Sequence, residues 1–569
     1  MRTILTTLHS KYIHNSLALP CLAAYCGDDC GELLIREFTT HEPRESVLDM
    51  LLAEQPDVVA FSVYIWNRLE TLALVDALAV ARPELRILLG GPEVSFEGPE
   101  FFKQHPGLTA LIHGEGEMPL KALLSAWHHQ QPVGNIPRLS HRDGEQVICG
   151  EDGPVLAELD DIPSPFQSGL VDLSRGFVYL ETSRGCPYKC SFCMSSLDDR
   201  VRSFSMARIQ ADLRFLMEHR VAKIKLVDRT FNYNPQRARE IFQFILGHNP
   251  GSHFHFEIGA DLLDPPTLDL LKTVPAGRFQ FEIGVQSTID QTLDNINRQV
   301  SLEQLEQNVR HLQADGHIHL HLDLVAGLPG ESYAEFLTSI NRVAALQPDH
   351  LQIEPVKLLL GSPLRNDADR LGLRFDPTPP YTILATPEMT FEEIEALRGM
   401  SRLMDLTWNS GHFGTFVRQL SQTCNSPADG LEQMTRYWHS KGLFRFPMSR
   451  HDLFLRCWAF VCDNLPENER SNLKEALAYD YAFCERVNPK KVPDFFDTAM
   501  TATEQTWVNE RVRREIDTVK GKGIKLQYFA AVFTTLPGID GRTPLLFIYK
   551  TKSGEGRGTD VLTWGRGCH

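Results

Sequence analysis

The chain has 569 residues, 42% hydrophobic and 23% charged, an ordinary globular composition in a length too great for one hydrophobic core. Its formal charge of −16 excludes broad nucleic-acid binding through phosphates, which needs a basic face. No apolar run reaches the roughly eighteen residues of a spanning helix, and the start MRTILTTLHSKYIHNS lacks a secretory apolar core and cleavage site, so a cytoplasmic protein without membrane contact is expected.

Residues 1–140 alternate between short apolar runs at 2–8, 32–38, 57–65, 86–90 and 108–113 and helical stretches around 17–25, 46–53 and 72–81. That alternation predicts a doubly wound parallel sheet, an α/β domain of Rossmann-like type. Ligands of such sheets sit beyond the carboxyl ends of the strands, which points to the loops 6–16, 64–67, 90–95 and 114–117. Residues 141–175 are rich in Pro, Gly and Asp and read as a linker. A second alternation spans 176–365, with the strands FVYLET, KIKLVD, HFHFEIGA, FQFEIGVQS, HLHLDLVAG and HLQIEPVKL. Helices are predicted between them near 205–219, 235–247, 266–273, 302–315 and 332–346. Six such repeats fit a partial (βα)6 barrel whose chemistry lies at the strands' C-terminal mouth. Residues 366–569 turn mostly helical, around 391–409, 430–439, 450–463 and 468–486, with a β-prone tail, LQYFAAVF and PLLFIYK. This region is the expected source of substrate selection and closure.

Twelve cysteines in so long a chain are no disulfide framework. Three of them, Cys186, Cys190 and Cys193, fall within ETSRGCPYKCSFC as Cys-x3-Cys-x2-Cys at the end of the first barrel strand. Thiolates are soft ligands suited to iron–sulfur clusters or zinc. Structural zinc wants four ligands, usually in paired Cys-x2–4-Cys units, and no fourth Cys or His lies close by in sequence. Three thiolates suit a [4Fe-4S] cube with one iron left open. The C-terminal Cys457, Cys462 and Cys484 are irregularly spaced, as core cysteines are, and the last segment, WGRGCH, carries an unpaired Cys568.

The cysteine motif, with Gly185 and Pro187 around its first thiol and Phe192 before its last, resembles that of the radical S-adenosylmethionine (SAM) superfamily. The resemblance implies that the open iron chelates SAM and that Phe192 lies beside adenine. FEIGVQSTIDQTLDNINRQ (281–299) resembles the fourth-strand signature of oxygen-independent coproporphyrinogen dehydrogenases. It implies that Gln286 and Arg298 contact the SAM amino-acid portion, and that Glu257 and Asp323 hold the amino acid or ribose. The usual Gly-Gly-Glu after the second strand is replaced by VDRTFN, which leaves Asp228 as the acceptor for the SAM amino group. Gly327, Pro329 and Gly330 fit a backbone turn close around adenine.

SKYIHNSLA (10–18), AFSVYIWN (60–67), LGGPEVS (89–95) and HGEGE (113–117) resemble the cobalamin-binding domains attached to many radical SAM enzymes. The implied cofactor contacts are Ser62, Tyr64, Trp66, Asn67, Gly90, Gly91, Pro92, Glu93, Gly114, Glu115 and Gly116. The familiar Asp-x-His-x-x-Gly cobalt-ligand motif is absent, so a lower cobalt face without protein imidazole is expected, covered by Tyr64, Trp66 or Asn67. No GxGxxG follows the first strand, which weakens a nucleotide reading. The whole layout resembles one subgroup of cobalamin-type radical SAM proteins with a helical C-terminal region. The implied activity is methylation of an unactivated carbon through a 5′-deoxyadenosyl radical and methylcobalamin, on a small molecule or peptide, with an electron donor such as flavodoxin or ferredoxin. Radical rearrangement or cyclisation without methyl transfer, and a non-catalytic cobalamin or redox sensor, are the alternatives.

Overall fold

The computed structural model describes residues 1–198, 200–539, 541–552 and 557–564; Cys568 lies outside the described residues. The chain divides into two compact units, one of Met1–Ser332, Leu346–Pro348 and Pro355–Phe391, the other of Tyr333–Ala345, Asp349–Glu354 and Glu392–His569. Residues 366–391, which the sequence assigned to the C-terminal region, therefore belong to the first unit.

That unit opens with β1 (Arg2–His9), α1 (Ala18–Cys26), β2 (Glu32–Thr39), α2 (Arg44–Ala53), β3 (Val58–Ser62), α3 (Arg68–Ala81), β4 (Arg86–Gly90), α4 (Pro99–Gln104), β5 (Leu108–Ile112) and α5 (Glu117–His128). β3 is buried along its whole length, as expected of a parallel strand covered on both faces. The hairpin β6 (Leu139–Asp143) and β7 (Gln146–Cys149) completes a sheet of order β2-β1-β3-β4-β5-β6-β7, antiparallel only at its last two strands. Part of the expected linker is thus sheet. Gly144-Glu145, with Gly144 at φ +59°, forms the two-residue turn that pairs Asp143 with Gln146. Strand order reverses between β1 and β3, so a crevice opens at their carboxyl ends, where the loops 10–16 and 64–67 begin.

The second sheet of this unit runs through β8 (Val178–Leu180), β11 (Lys223–Leu226), β12 (His253–Ile258), β13 (Phe279–Gln286) and β14 (His319–Ala326), each neighbouring pair parallel. A short antiparallel ladder of β9 (Ser183–Arg184) and β10 (Arg202–Ser203) follows β8. The crossover helices are α6 (Met206–Glu218), α7 (Pro235–His248), α8 (Pro265–Leu271), α9 (Asp290–Asn295) and α10 (Leu302–Asp315). β13 alternates buried and half-buried residues along its length. Phe279, Phe281 and Ile283 bury on one face, where Phe242 of α7 meets Phe256 of β12 edge-on at 5.1 Å between ring centroids. The other face carries Glu282, Gly284 and Gln286 beside Glu257 and Asp323. Register alone places these polar residues side by side.

The strand His350–Pro355 forms where expected and contributes its residues 350–354 to the second unit. Helices Phe391–Leu406, Gly414–Thr423, Pro427–Ser440, Arg450–Asn464, Glu467–Cys484 and Ala502–Val519 follow. Trp438 and Cys457 are fully buried among them, and Phe413 stacks on Phe454 at 4.0 Å. The tail is a three-stranded antiparallel sheet of Ile524–Phe533, Thr543–Lys552 and Arg557–Thr563, one strand more than the sequence showed. Among the described residues no helix is long and apolar enough to cross a membrane.

Candidate functional site

The cysteine loop is shaped by backbone anchors. Gly185 sits at φ +88°, and a Cβ there would lie 2.4 Å from the Arg200 carbonyl oxygen, so only glycine admits this turn. Downstream, Ser191 N–H donates to the Ile296 carbonyl at 2.9 Å, Leu364 N–H to the Ser191 carbonyl at 2.8 Å, and Cys193 N–H to the Cys190 carbonyl at 3.1 Å. Cys186 Sγ lies 3.4 Å from Thr230 Oγ1, and Arg298 Nη1 lies 3.8 Å from Cys190 Sγ. Burial raises the Cys190 thiol's pKa, and the Arg298 charge partly offsets this. Phe192, Cys186 and Cys193 are half-buried.

Among the described residues no three His, Cys, Asp or Glu side chains form a ready single-ion site. A cube does not need one, because each thiolate binds a different iron.

Arg298 is the polar residue best placed beside this loop. It donates to the Gly284 carbonyl and stands over the Tyr188 ring at 5.7 Å, while its Nε is buried without a hydrogen-bond partner. Gln286 adopts φ +70° at a register shift between β13 and β14. A side chain at Gly284 would collide with the Gln286 amide nitrogen at 2.1 Å. An orphaned guanidinium N–H on a side chain that reaches Cys190 fits a carboxylate-bearing ligand such as SAM. Glu257 is pushed up to about 7 by burial, which the Arg229 charge only partly offsets. Asp323, also raised by burial, pairs with His321 Nε2 at 2.9 Å. Asp228 was expected to meet the SAM amino group. Its carboxylate is instead fully buried and accepts from Thr182 N–H at 3.1 Å, from the Thr182 hydroxyl at 2.5 Å and from the Ser183 hydroxyl, so it ties down the end of β8.

A cavity of about 720 Å³ lies in the first unit between the carboxyl edge of the seven-stranded sheet and the β8 end of the barrel. Its sheet side is lined by Ser62, Tyr64, Trp66, Gly90, Gly91, Pro92, Gly114, Glu115 and Gly116, and its barrel side by Tyr179, Glu181, Arg184, Met194 and Leu197. Nine of the eleven expected cofactor contacts of this domain therefore line one chamber with Arg184 and Met194, which flank the cysteine motif in the chain, while Cys186, Cys190 and Cys193 are not among its lining residues. Asn67 and Glu93 do not line it. Asn67 is completely buried, its amide donating to Leu8 O at 2.9 Å and accepting from Tyr64 N–H at 2.8 Å, so it brackets the loop from behind. Glu93 is buried against the Tyr381 hydroxyl and Arg68. Leu5, Ala60, Leu88, Ile112 and Leu120 make the deep wall apolar. An apolar slot opening at a glycine-rich strand edge fits a large planar cofactor with a buried tail, as cobalamin requires.

Sequence reasoning missed the ion-pair network at the same wall. Arg184 meets Glu117 at 2.7 Å, Glu181 at 3.0 Å and Glu115 at 3.4 Å, and Arg202 clamps the other side of Glu115. Burial opposes the Arg184 charge, but the three carboxylates outweigh it and hold its pKa above the ordinary value. Burial also pushes Glu181 up to about 7, with Arg184 pulling against it. A raised acid keeps its proton longer in the folded state, so its ionisation costs stability as pH climbs from about 4.5 to about 7 and nothing further above that. With the carboxyl only 19% exposed, the cost across that window is about 3 kcal/mol by the usual conversion. Glu181→Gln should flatten this slope, read as urea midpoints against pH.

Three family profiles match the chain in order: the B12 binding domain over residues 4–124, the radical SAM superfamily over 180–343, and a protein family of unknown function, DUF4080, over 369–525. The chain belongs to the B12-binding radical SAM proteins. Its cofactors are accordingly a [4Fe-4S] cluster, SAM and cobalamin. It is similar to the cobalamin-dependent radical SAM methyltransferase TokK of Streptomyces tokunonensis, 28% identical over 70% of this chain and 62% of that one. It is similar also to the 2-(S-pantetheinyl)-carbapenam-3-carboxylate methyltransferase of Streptantibioticus cattleyicolor, 26% identical over 60% and 53% respectively. The matches thus span between half and two thirds of these relatives' lengths. In fold, the chain resembles the cobalamin-dependent SAM radical enzyme OxsB, with a TM-score of 0.56 at 17% identity over 92% of this chain and 81% of that one.

Proposed function

We propose that this radical SAM enzyme transfers a methyl group to an unactivated carbon. The observation that carries the reading is the single chamber lined both by the glycine-rich sheet edge and by Arg184 and Met194, the residues on either side of the cysteine motif. Reactions between two bound groups need them held in line and shielded from water, and one continuous cavity does both. When bound, the cluster and SAM supply a 5′-deoxyadenosyl radical that removes a substrate hydrogen, and cobalamin supplies the methyl group.

The chain's own residues do the positioning. Cys186, Cys190 and Cys193 hold the cluster. Arg298 and Gln286 orient the SAM carboxylate end, with Glu257 and Asp323 as acceptors for its amino or hydroxyl groups. Gly90, Gly91 and Gly114 admit the cobalamin ring edge, and the Tyr64–Trp66 pair, stacked at 4.5 Å, forms a flat aromatic wall at its side. Support for methyl transfer over other radical outcomes comes from the two methyltransferases to which the chain is similar.

The test is anaerobic reconstitution with iron, sulfide and cobalamin, followed by methyl-labelled SAM and cell extract. Label on a product heavier by one methyl supports the reading. A product of unchanged carbon count, formed with 5′-deoxyadenosine, would replace it with rearrangement or cyclisation. SAM left uncleaved would make the chain a sensor.

A further inference from the structure

Two histidines that the cysteine and glycine motifs do not use also line the cavity: His9, which ends β1, and His14, in the loop that follows. Their rings lie 6.5 Å apart and 24° from parallel. His9 is 6% exposed and its Nε2 pairs with Glu37 at 3.2 Å, so that nitrogen is already engaged. His14 is held differently. Its Nδ1 lies 3.0 Å from the Tyr179 hydroxyl, its ring packs edge-on to Phe177 at 5.2 Å, and its carbonyl accepts from Arg175 at 2.7 Å. Among the described residues its Nε2 takes no hydrogen bond.

The Tyr179 hydroxyl can accept from Nδ1–H, and in that tautomer the lone pair lies on Nε2. An aromatic clamp sets the ring's direction. This is the way a metal-binding imidazole is prepared, its far nitrogen held so that the near one stays unprotonated and aimed. Tyr179 lines the same cavity, so His14 and its anchor belong to one wall.

We propose that His14 Nε2 is an axial ligand of the cobalt of cobalamin bound in this cavity, with Nδ1–H donating a hydrogen bond to the Tyr179 hydroxyl. The inference rests on cobalamin occupying that cavity, and it replaces the imidazole-free face expected from the missing Asp-x-His-x-x-Gly motif. A coordinating imidazole from a loop of different spacing leaves no trace in that pattern, because the pattern records sequence distance while the cavity records position.

Paramagnetic resonance of the full chain loaded with cob(II)alamin decides it. The protein is grown on histidine carrying the heavier, spin-half nitrogen isotope, and the cobalamin is unlabelled. His14 coordination splits each axial cobalt line into a doublet, which His14→Asn abolishes and His9→Asn retains. A triplet reports the cofactor's own base and overturns the proposal, as does a spectrum with no nitrogen splitting. A doublet that survives His14→Asn and vanishes in His9→Asn overturns it in favour of His9. If one variant fails to fold, the other assigns the doublet, since His9 and His14 are the histidines that line the cavity: a doublet kept in His9→Asn or lost in His14→Asn supports His14, and the reverse overturns it. Wild-type protein that takes up no cobalamin would instead refute the cofactor's place in the cavity.

Discussion

Replacing Cys186, Cys190 and Cys193 together by alanine is expected to abolish iron–sulfur assembly and 5′-deoxyadenosine formation while leaving cobalamin uptake unchanged. The loop does not depend on its thiols for shape. Gly185 sets its entry, and the backbone bonds from Ser191 to Ile296 and from Leu364 to Ser191 set its exit. None of these involves sulfur, so the variant should fold. Loss of the thiols removes every soft ligand on the loop, and the remaining Tyr188, Lys189 and Ser191 offer no substitute for an iron cube. The cobalamin wall is built from strand ends at Gly90 and Gly114 and from the apolar slot behind them, none of it contributed by the cysteine loop. Iron and acid-labile sulfide analysis, together with the cobalamin absorption spectrum of the same sample, reads both arms. Retained iron would show that the thiolates are not the ligands. Loss of both cofactors would show that the two halves of the chamber are not independently formed.

The parts of this architecture that were legible in the sequence share one property: they are written in local pattern. Parallel strands read as short apolar or alternating runs, so β1 to β5, β8 and β11 to β14 announce themselves, whereas the two-residue ladder of β9 and β10 does not, and the cysteine spacing is local by nature. Gly90, Gly91 and Gly114 were legible because backbone approach restricts residue type. What stayed hidden depends on long-range partners. A carboxylate at a strand end has the same local appearance whether it meets a ligand or the chain. Asp228 is consumed by Thr182 and Ser183, some forty-five residues earlier, and Glu93 by Tyr381, 288 residues later. Asn67, beside two aromatic residues expected at the ligand, is spent on Leu8 and Tyr64. The β6–β7 hairpin did carry a local signal, Asp143-Gly144, but it lay inside a stretch whose Pro and Gly content pointed to a linker.

The Arg184 network is the largest of these hidden features, and its removal should carry the largest stability cost. Exposed ion pairs contribute about 0–1 kcal/mol, because water screens them and two long side chains must be ordered. The Arg184 side chain is 14% exposed, Glu117 6% and Glu115 21%, which places this cluster among buried pairs. There the intact pair's net worth is small, yet removing one member leaves uncompensated charge in a poorly solvated wall at about 3–5 kcal/mol. Arg184→Met strips the partner from Glu117 and Glu181 at once, while Glu115 keeps Arg202. The expected result is a fall in the urea midpoint of that order. Cobalamin uptake should fall with it, since Glu115 and Glu117 on one side and Glu181 on the other hold the two walls of the chamber together through this guanidinium. Adding Glu117→Gln to Arg184→Met removes one of the stranded charges and should restore part of the loss. Additive single effects would mean that the pair is already solvated and that the chamber walls are joined by packing alone.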